Sequence, residues 1–139
     1  MTTSASADRV VVIGSGNVAE ALCRQIPQSG YRLVQLFARK ALRGAALARE
    51  GGGAFANRPG GLAEAEMYIV SVSDRAIGEV AASLDFGDGL AVHTAGSCGI
   101  GVLPESVARR GVLYPLQTFT AGRAIDFREV PLFIETDRE

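Results

Sequence analysis

The sequence predicts an α/β fold: a doubly wound, mostly parallel sheet with helices on both faces. Three observations predict it. Short apolar runs alternate with helix-forming segments along most of the chain. The runs VVVI at 10–13 and MYIV at 67–70 are of the type found in strands buried on both faces. The first run passes directly into a glycine turn that opens a helix. Parallel strands joined by right-handed crossovers then give the strand order 3-2-1-4-5-6 as the default.

Residues 9–13 (RVVVI) form the first strand. The first helix covers about 17–26, where Ala19, Leu22, Cys23 and Ile26 recur at helical spacing. Pro27 and Gly30 close it. Residues 31–38 (YRLVQLFA) read as the second strand and 41–49 as a helix ended by Gly51, Gly52 and Gly53. Residues 54–56 fit a short third strand, and 62–66 a single helical turn. The fourth strand is 67–72, and Asp74 is placed to cap a helix over 75–84. The fifth strand is 90–93 (LAVH). A short helix is expected over about 103–109, then a sixth strand at 111–114 (GVLY). Residues 130–134 (VPLFI) make a last strand at an edge, because Pro131 has no N–H to give to a ladder.

The turn Gly14-Ser15-Gly16-Asn17-Val18-Ala19 matches the GxGxxA form of a dinucleotide-binding fingerprint. Gly14 lets the chain turn sharply at the strand end. Gly16 lets backbone approach a pyrophosphate, and Ala19 is small enough for the helix to pack on the strand. Free N–H groups and the helix dipole at 16–18 attract the anion. A bare strand-to-helix turn without ligand has the same glycines, so the flanking strand and helix carry the reading.

Bulk composition bounds the rest. The 139 residues fit one domain, and 47% hydrophobic content is ample for its core. Fourteen Lys and Arg against fifteen Asp and Glu give a net charge of −1, which favours neither nucleic acid nor an anionic membrane as partner. No apolar run approaches the ~20 residues of a membrane span. Residues 1–8 lack the basic and apolar regions of a secretory signal and are expected to be a disordered tail. Two cysteines, Cys23 and Cys98, do not make a disulfide framework, and with the single histidine His93 they give no metal spacing. A cytoplasmic setting and no metal are expected.

The second strand ends in Ala38-Arg39-Lys40, with Arg43 following. An NAD site has an acid here for the ribose 2′-OH. Cations instead suit a 2′-phosphate, which takes charge-assisted donors, so NADP(H) is the expected cofactor. A solvated basic helix start is the other reading. Val72 and Ser73, ending the fourth strand, are expected to face the cofactor, and Asp74 to cap or to bind. Thr94, after the fifth strand, is expected near the nicotinamide. His93 and Ser97 are the catalytic candidates: His93 as a proton donor or as a strand-end histidine bonded to its loop, Ser97 as a substrate ligand or a turn residue. Residues 114–120 (YPLQTFT) either wall a substrate pocket or pack over the sheet.

The segment VVVIGSGNVAEAL resembles the opening of pyrroline-5-carboxylate reductases and of the F420-dependent NADP oxidoreductase group. YIVSVSDRAI, HTAGS, GVLYPLQTFT and VPLFIE together are similar to Rossmann-like proteins with a C-terminal DUF2520 domain, over about residues 9–135. The resemblance implies an NADP-binding Rossmann domain over 9–135 and, at 136–139, the start of an all-helical domain absent from these residues. In the wider class resembled, that domain dimerises and completes the active site. It also implies an oxidoreductase that moves a hydride to or from a small imine or carbonyl substrate, with the chemistry carried by the cofactor. Without that domain the chain is expected to be inactive alone. The other class open to the chain is a non-catalytic module that binds or senses NADP(H) and acts through a partner.

Overall fold

The computed structural model describes residues 9–95, 98–115 and 132–136. Seven strands form one sheet: β1 Arg9–Ile13, β2 Arg32–Phe37, β3 Ala54–Ala56, β4 Met67–Val70, β5 Leu90–His93, β6 Arg109–Pro115 and β7 Leu132–Thr136. Among the described residues three α-helices lie between them: α1 Asn17–Gln28, α2 Ala41–Gly51 and α3 Ile77–Ala82. The order across the sheet is β3-β2-β1-β4-β5-β6-β7. All pairs are parallel except β6 with β7, which run antiparallel at the edge. The expected order 3-2-1-4-5-6 with an added edge strand is therefore the one found.

Alternation along the strands sorts the side chains into two cores. Val10 and Val12 of β1 face Leu22, Cys23 and Ile26 of α1 and Leu47 and Ala48 of α2. Val11 and Ile13 join Tyr68 and Val70 of β4 and Ile77 and Ala81 of α3 on the other face. Val11 and Val12 are fully buried, which is why residues 10–13 of β1 are apolar without interruption. Helices lie on both faces, as the pattern requires.

Pro27 falls in the last turn of α1 and does not end it at residue 26. With no N–H, Pro27 leaves the Cys23 carbonyl without its helical donor. A Cβ at Gly51 would come within 2.9 Å of that oxygen, so the two helices cross where Gly51 has no side chain.

Two expected helical pieces are corrected. Residues 62–66 are not a helical turn; a 3-10 turn lies earlier, at Pro59–Gly61. There the Gln35 side chain donates to the Gly61 carbonyl (2.7 Å) and accepts from the Ala63 N–H (2.9 Å), holding the segment extended. Residues 103–109 are likewise not a helix. A 3-10 turn spans Ile100–Val102, Val107 N–H closes a turn on the Pro104 carbonyl, and β6 already begins at Arg109. Burying Leu103 and Val107 is all this crossover has to do, and a turn suffices. The predicted helix over 75–84 is shorter, a 3-10 turn at Asp74–Ala76 running into α3. Ser73 precedes that turn and Ala76 precedes α3, so Asp74 is not the N-cap residue of α3.

Candidate functional site

Successive connections leave β1 towards β2 on one side and reach β4 on the other, which opens a crevice at the carboxyl ends of β1 and β4. The glycine turn occupies it. Gly14 adopts φ +125°, a conformation L side chains rarely take. A Cβ there would stand 2.9 Å from the Ser71 carbonyl oxygen. Ser71 in turn donates both its N–H (2.8 Å) and its Oγ (2.9 Å) to the Ile13 carbonyl. The Gly14 N–H donates to the Phe37 carbonyl at 2.8 Å. The turn is thus tied to β2 and β4 before any ligand arrives.

Gly16 differs from Gly14. It is exposed, has an ordinary φ of −84°, and a Cβ on it would meet nothing within 4 Å. Gly16 precedes α1, and no side chain caps the helix there. Asn17 is exposed and Ser15 and Val18 are half-buried. Open space over a helix N-terminus is where a pyrophosphate can be received.

Ala38 is buried, and its N–H is bonded to the Ala56 carbonyl at 3.1 Å. Arg39 and Lys40 are exposed at the start of α2, whose first turn contains no acid. Arg43 points elsewhere: its Nε donates to the Ser15 carbonyl and its Nη2 lies 3.2 Å from Glu20 Oε1. Arg43 thus stands apart from Arg39 and Lys40, its neighbours in sequence, and its partner Glu20 lies on α1. The sequence signal for Glu20 is an acid in the first turn of α1 with Arg24 four residues on.

Ser73 is exposed and Val72 and Thr94 half-buried, all three at the carboxyl edge. His93 is 0% exposed. Its Nδ1 accepts from the Ala95 N–H at 3.1 Å, so the proton sits on Nε2, which donates to the Gly99 carbonyl at 2.9 Å. Both ring nitrogens are spent on the loop after β5. Of the two readings of His93, this is the geometry of the loop-bonded one. Ser97 and residues 116–120 lie outside the described residues.

A hollow of about 740 Å³ lies at the opposite, amino edge, lined by Arg9, Glu66, Tyr68 and Arg109 among others. Glu64, Glu66, Asp85 and Asp88 outnumber the two arginines there, so it does not suit a phosphate-rich ligand. Arg9 and Glu66 pair across its wall at 2.8 Å. The Arg9 hydrogen bond holds the Glu66 carboxyl below the usual carboxylate range.

The profile of the family described as "NADP oxidoreductase, coenzyme F420-dependent" matches residues 9–95, which span β1 to the end of β5. Among solved structures, a candidate NADP oxidoreductase from Bacteroides fragilis is 34% identical, with a TM-score of 0.88 over 97% of this chain and 54% of that one. A Thermotoga maritima protein is 21% identical, with a TM-score of 0.69 over 93% of this chain and 49% of that one, and shares the fold. The chain therefore spans about half the length of these neighbours. No curated protein matches it in sequence. No described helix is long and apolar enough to cross a membrane. The fingerprint turn, the sheet order and these matches agree: the chain belongs to the F420-dependent NADP oxidoreductase family.

Proposed function

We propose that this domain binds NADP(H) along the carboxyl edge of the sheet and serves an oxidoreductase that moves a hydride to or from a small imine or carbonyl compound. The pyrophosphate lies over Gly16, Asn17 and Val18. The 2′-phosphate lies on Arg39 and Lys40. Ser73 and Val72 flank the ribose, and Thr94 approaches the nicotinamide. One observation carries this reading: the place where an NAD site has an acid presents two exposed cations, beside an open helix N-terminus. Proton transfer is not assigned to His93, whose two nitrogens hold the loop. In the whole protein a helical domain of the DUF2520 type supplies the missing groups and the subunit contact.

NADPH and NADH binding, measured by calorimetry, tests the cofactor assignment. Wild type is expected to favour NADPH, and Arg39→Ala to weaken NADPH roughly tenfold while leaving NADH alone, as loss of one charge-assisted hydrogen bond predicts. Equal affinities, or an Arg39→Ala variant that binds NADPH as well as wild type, would sink it. The non-catalytic alternative draws on the sequestered His93. Tight NADPH binding by the full-length protein with no turnover across a broad panel of imines and ketones would favour that alternative.

A further inference from the structure

Glu20 is a buried carboxylate, 5% exposed, in the first turn of α1. A buried charge is costly unless paired, and Arg24 Nη1 pairs with Glu20 Oε2 at 3.1 Å from the same helix. A second arginine is not needed to neutralise it. Yet Arg43 reaches across from α2 to Glu20 Oε1, 3.2 Å away. The same guanidinium donates through Nε to the Ser15 carbonyl and lies 3.5 Å, through Nη2, from the Gly16 carbonyl. Two carbonyls and a carboxylate hold it beside the glycine turn. Guanidinium has five N–H donors. The bonds described use Nε and Nη2, while Nη1 makes none among the described residues. The side chain as a whole remains 38% exposed.

We propose that Glu20 is a positioning residue: its ion pair holds Arg43 on the glycine turn as a preorganised ligand for a phosphate group of the dinucleotide. The proposal rests on the reading that a dinucleotide binds at this turn. Preorganisation matters because an arginine already ordered loses little side-chain freedom when the ligand arrives. Arg43 then acts from the turn, apart from the exposed Arg39 and Lys40. The phosphate it meets is the pyrophosphate or the 2′-phosphate, and two fragments separate them: ADP-ribose carries only the first, 2′,5′-ADP only the second.

The test is a double-mutant cycle on the full-length protein, with dissociation constants for NADPH, ADP-ribose and 2′,5′-ADP. Glu20→Gln is expected to weaken NADPH roughly fivefold, and Arg43→Gln at least as much. In the Arg43→Gln background, Glu20→Gln is expected to weaken binding no further, because Glu20 acts only through Arg43. The loss should follow whichever fragment carries the phosphate that Arg43 holds. Glu20→Asp keeps a negative charge in the first turn of α1 but shortens its reach across to Arg43 on α2, so it should still lose affinity. Unchanged or tighter NADPH binding in Glu20→Asp and Glu20→Gln overturns the proposal, as do fully additive losses or an Arg43→Gln variant that binds normally. A wild-type protein that binds none of the three ligands overturns the cofactor reading itself.

Discussion

Gly14 lies so close to Ser71 that a Cβ on residue 14 would stand 2.9 Å from the Ser71 carbonyl oxygen and 3.0 Å from its Oγ. The first glycine of the turn is thus a structural requirement, set by a neighbouring strand and by φ +125°. The second glycine faces open space. Gly14→Ala is expected to cost about 3 kcal/mol, from the positive φ and the overlap together. Gly16→Ala is expected to leave stability within about 0.5 kcal/mol of wild type and to weaken the dinucleotide. Urea titrations with NADPH binding in parallel check both. A Gly16→Ala protein that unfolds as easily as Gly14→Ala would count against this division of roles.

Strands β1, β4 and β5 were legible because each is short, apolar and followed by a turn signal; period and composition carry that information locally. The sheet order followed from handedness of crossovers, which needs no contact information. What escaped reading was set by partners distant in sequence. Residues 62–66 stay extended because Gln35, on β2, takes up their backbone groups. Residues 103–109 have helix-forming character, but Arg109 is claimed by β5 through its pairing with Leu90. Arg43 looked like a third cation beside Arg39 and Lys40, while its actual partners, Ser15 and Glu20, lie on α1 and the turn before it. Local sequence gave its charge but not its direction.

His93 holds the loop after β5 at two points, the Ala95 N–H and the Gly99 carbonyl. His93→Ala would empty a fully buried site and leave both backbone groups unpaired. The expected loss is about 3 kcal/mol, the sum of an unsatisfied buried pair and a cavity. A fall in the urea midpoint at unchanged slope would show it. A loss below about 1 kcal/mol would mean that water replaces the imidazole and that the loop is held by other contacts.

Arg9 and Glu66 join the amino ends of β1 and β4, Arg9 Nε and Nη2 donating to the two carboxylate oxygens at 3.2 and 2.8 Å. The shared hydrogen bond lowers the Glu66 carboxyl below its ordinary range and raises the guanidinium. A lowered carboxyl binds fewer protons folded than unfolded. Its stabilisation is therefore present above the unfolded value of about 4.3 and is lost as pH falls through the lower, folded one. The urea midpoint of wild type is expected to exceed that of Glu66→Gln at pH 7, with a small gap because the pair faces solvent. The gap should close on acidification below about pH 4. A gap that stays constant down to pH 3 would mean that Glu66 contributes through packing and not charge.

Cys23 and Cys98 offer an internal comparison of thiol reactivity. Cys23 is 0% exposed under α2, and burial, assisted by the charge of Glu50, pushes its thiol up to about 12. Cys98 is half-buried, in the loop that His93 holds. Reaction with a disulfide reagent requires thiolate and access, and native Cys23 has neither at pH 8. In Cys98→Ser, labelling is expected to be slow and to accelerate with urea as the protein opens; in Cys23→Ser, it should proceed from the native state. The same shift fixes a sign at high pH. The unfolded chain ionises this thiol near 9 and the native one near 12, so native stability falls as pH rises through that interval. Native-state labelling of Cys23 at the rate of Cys98 would show that α1 and α2 separate readily, contrary to their packing at Gly51.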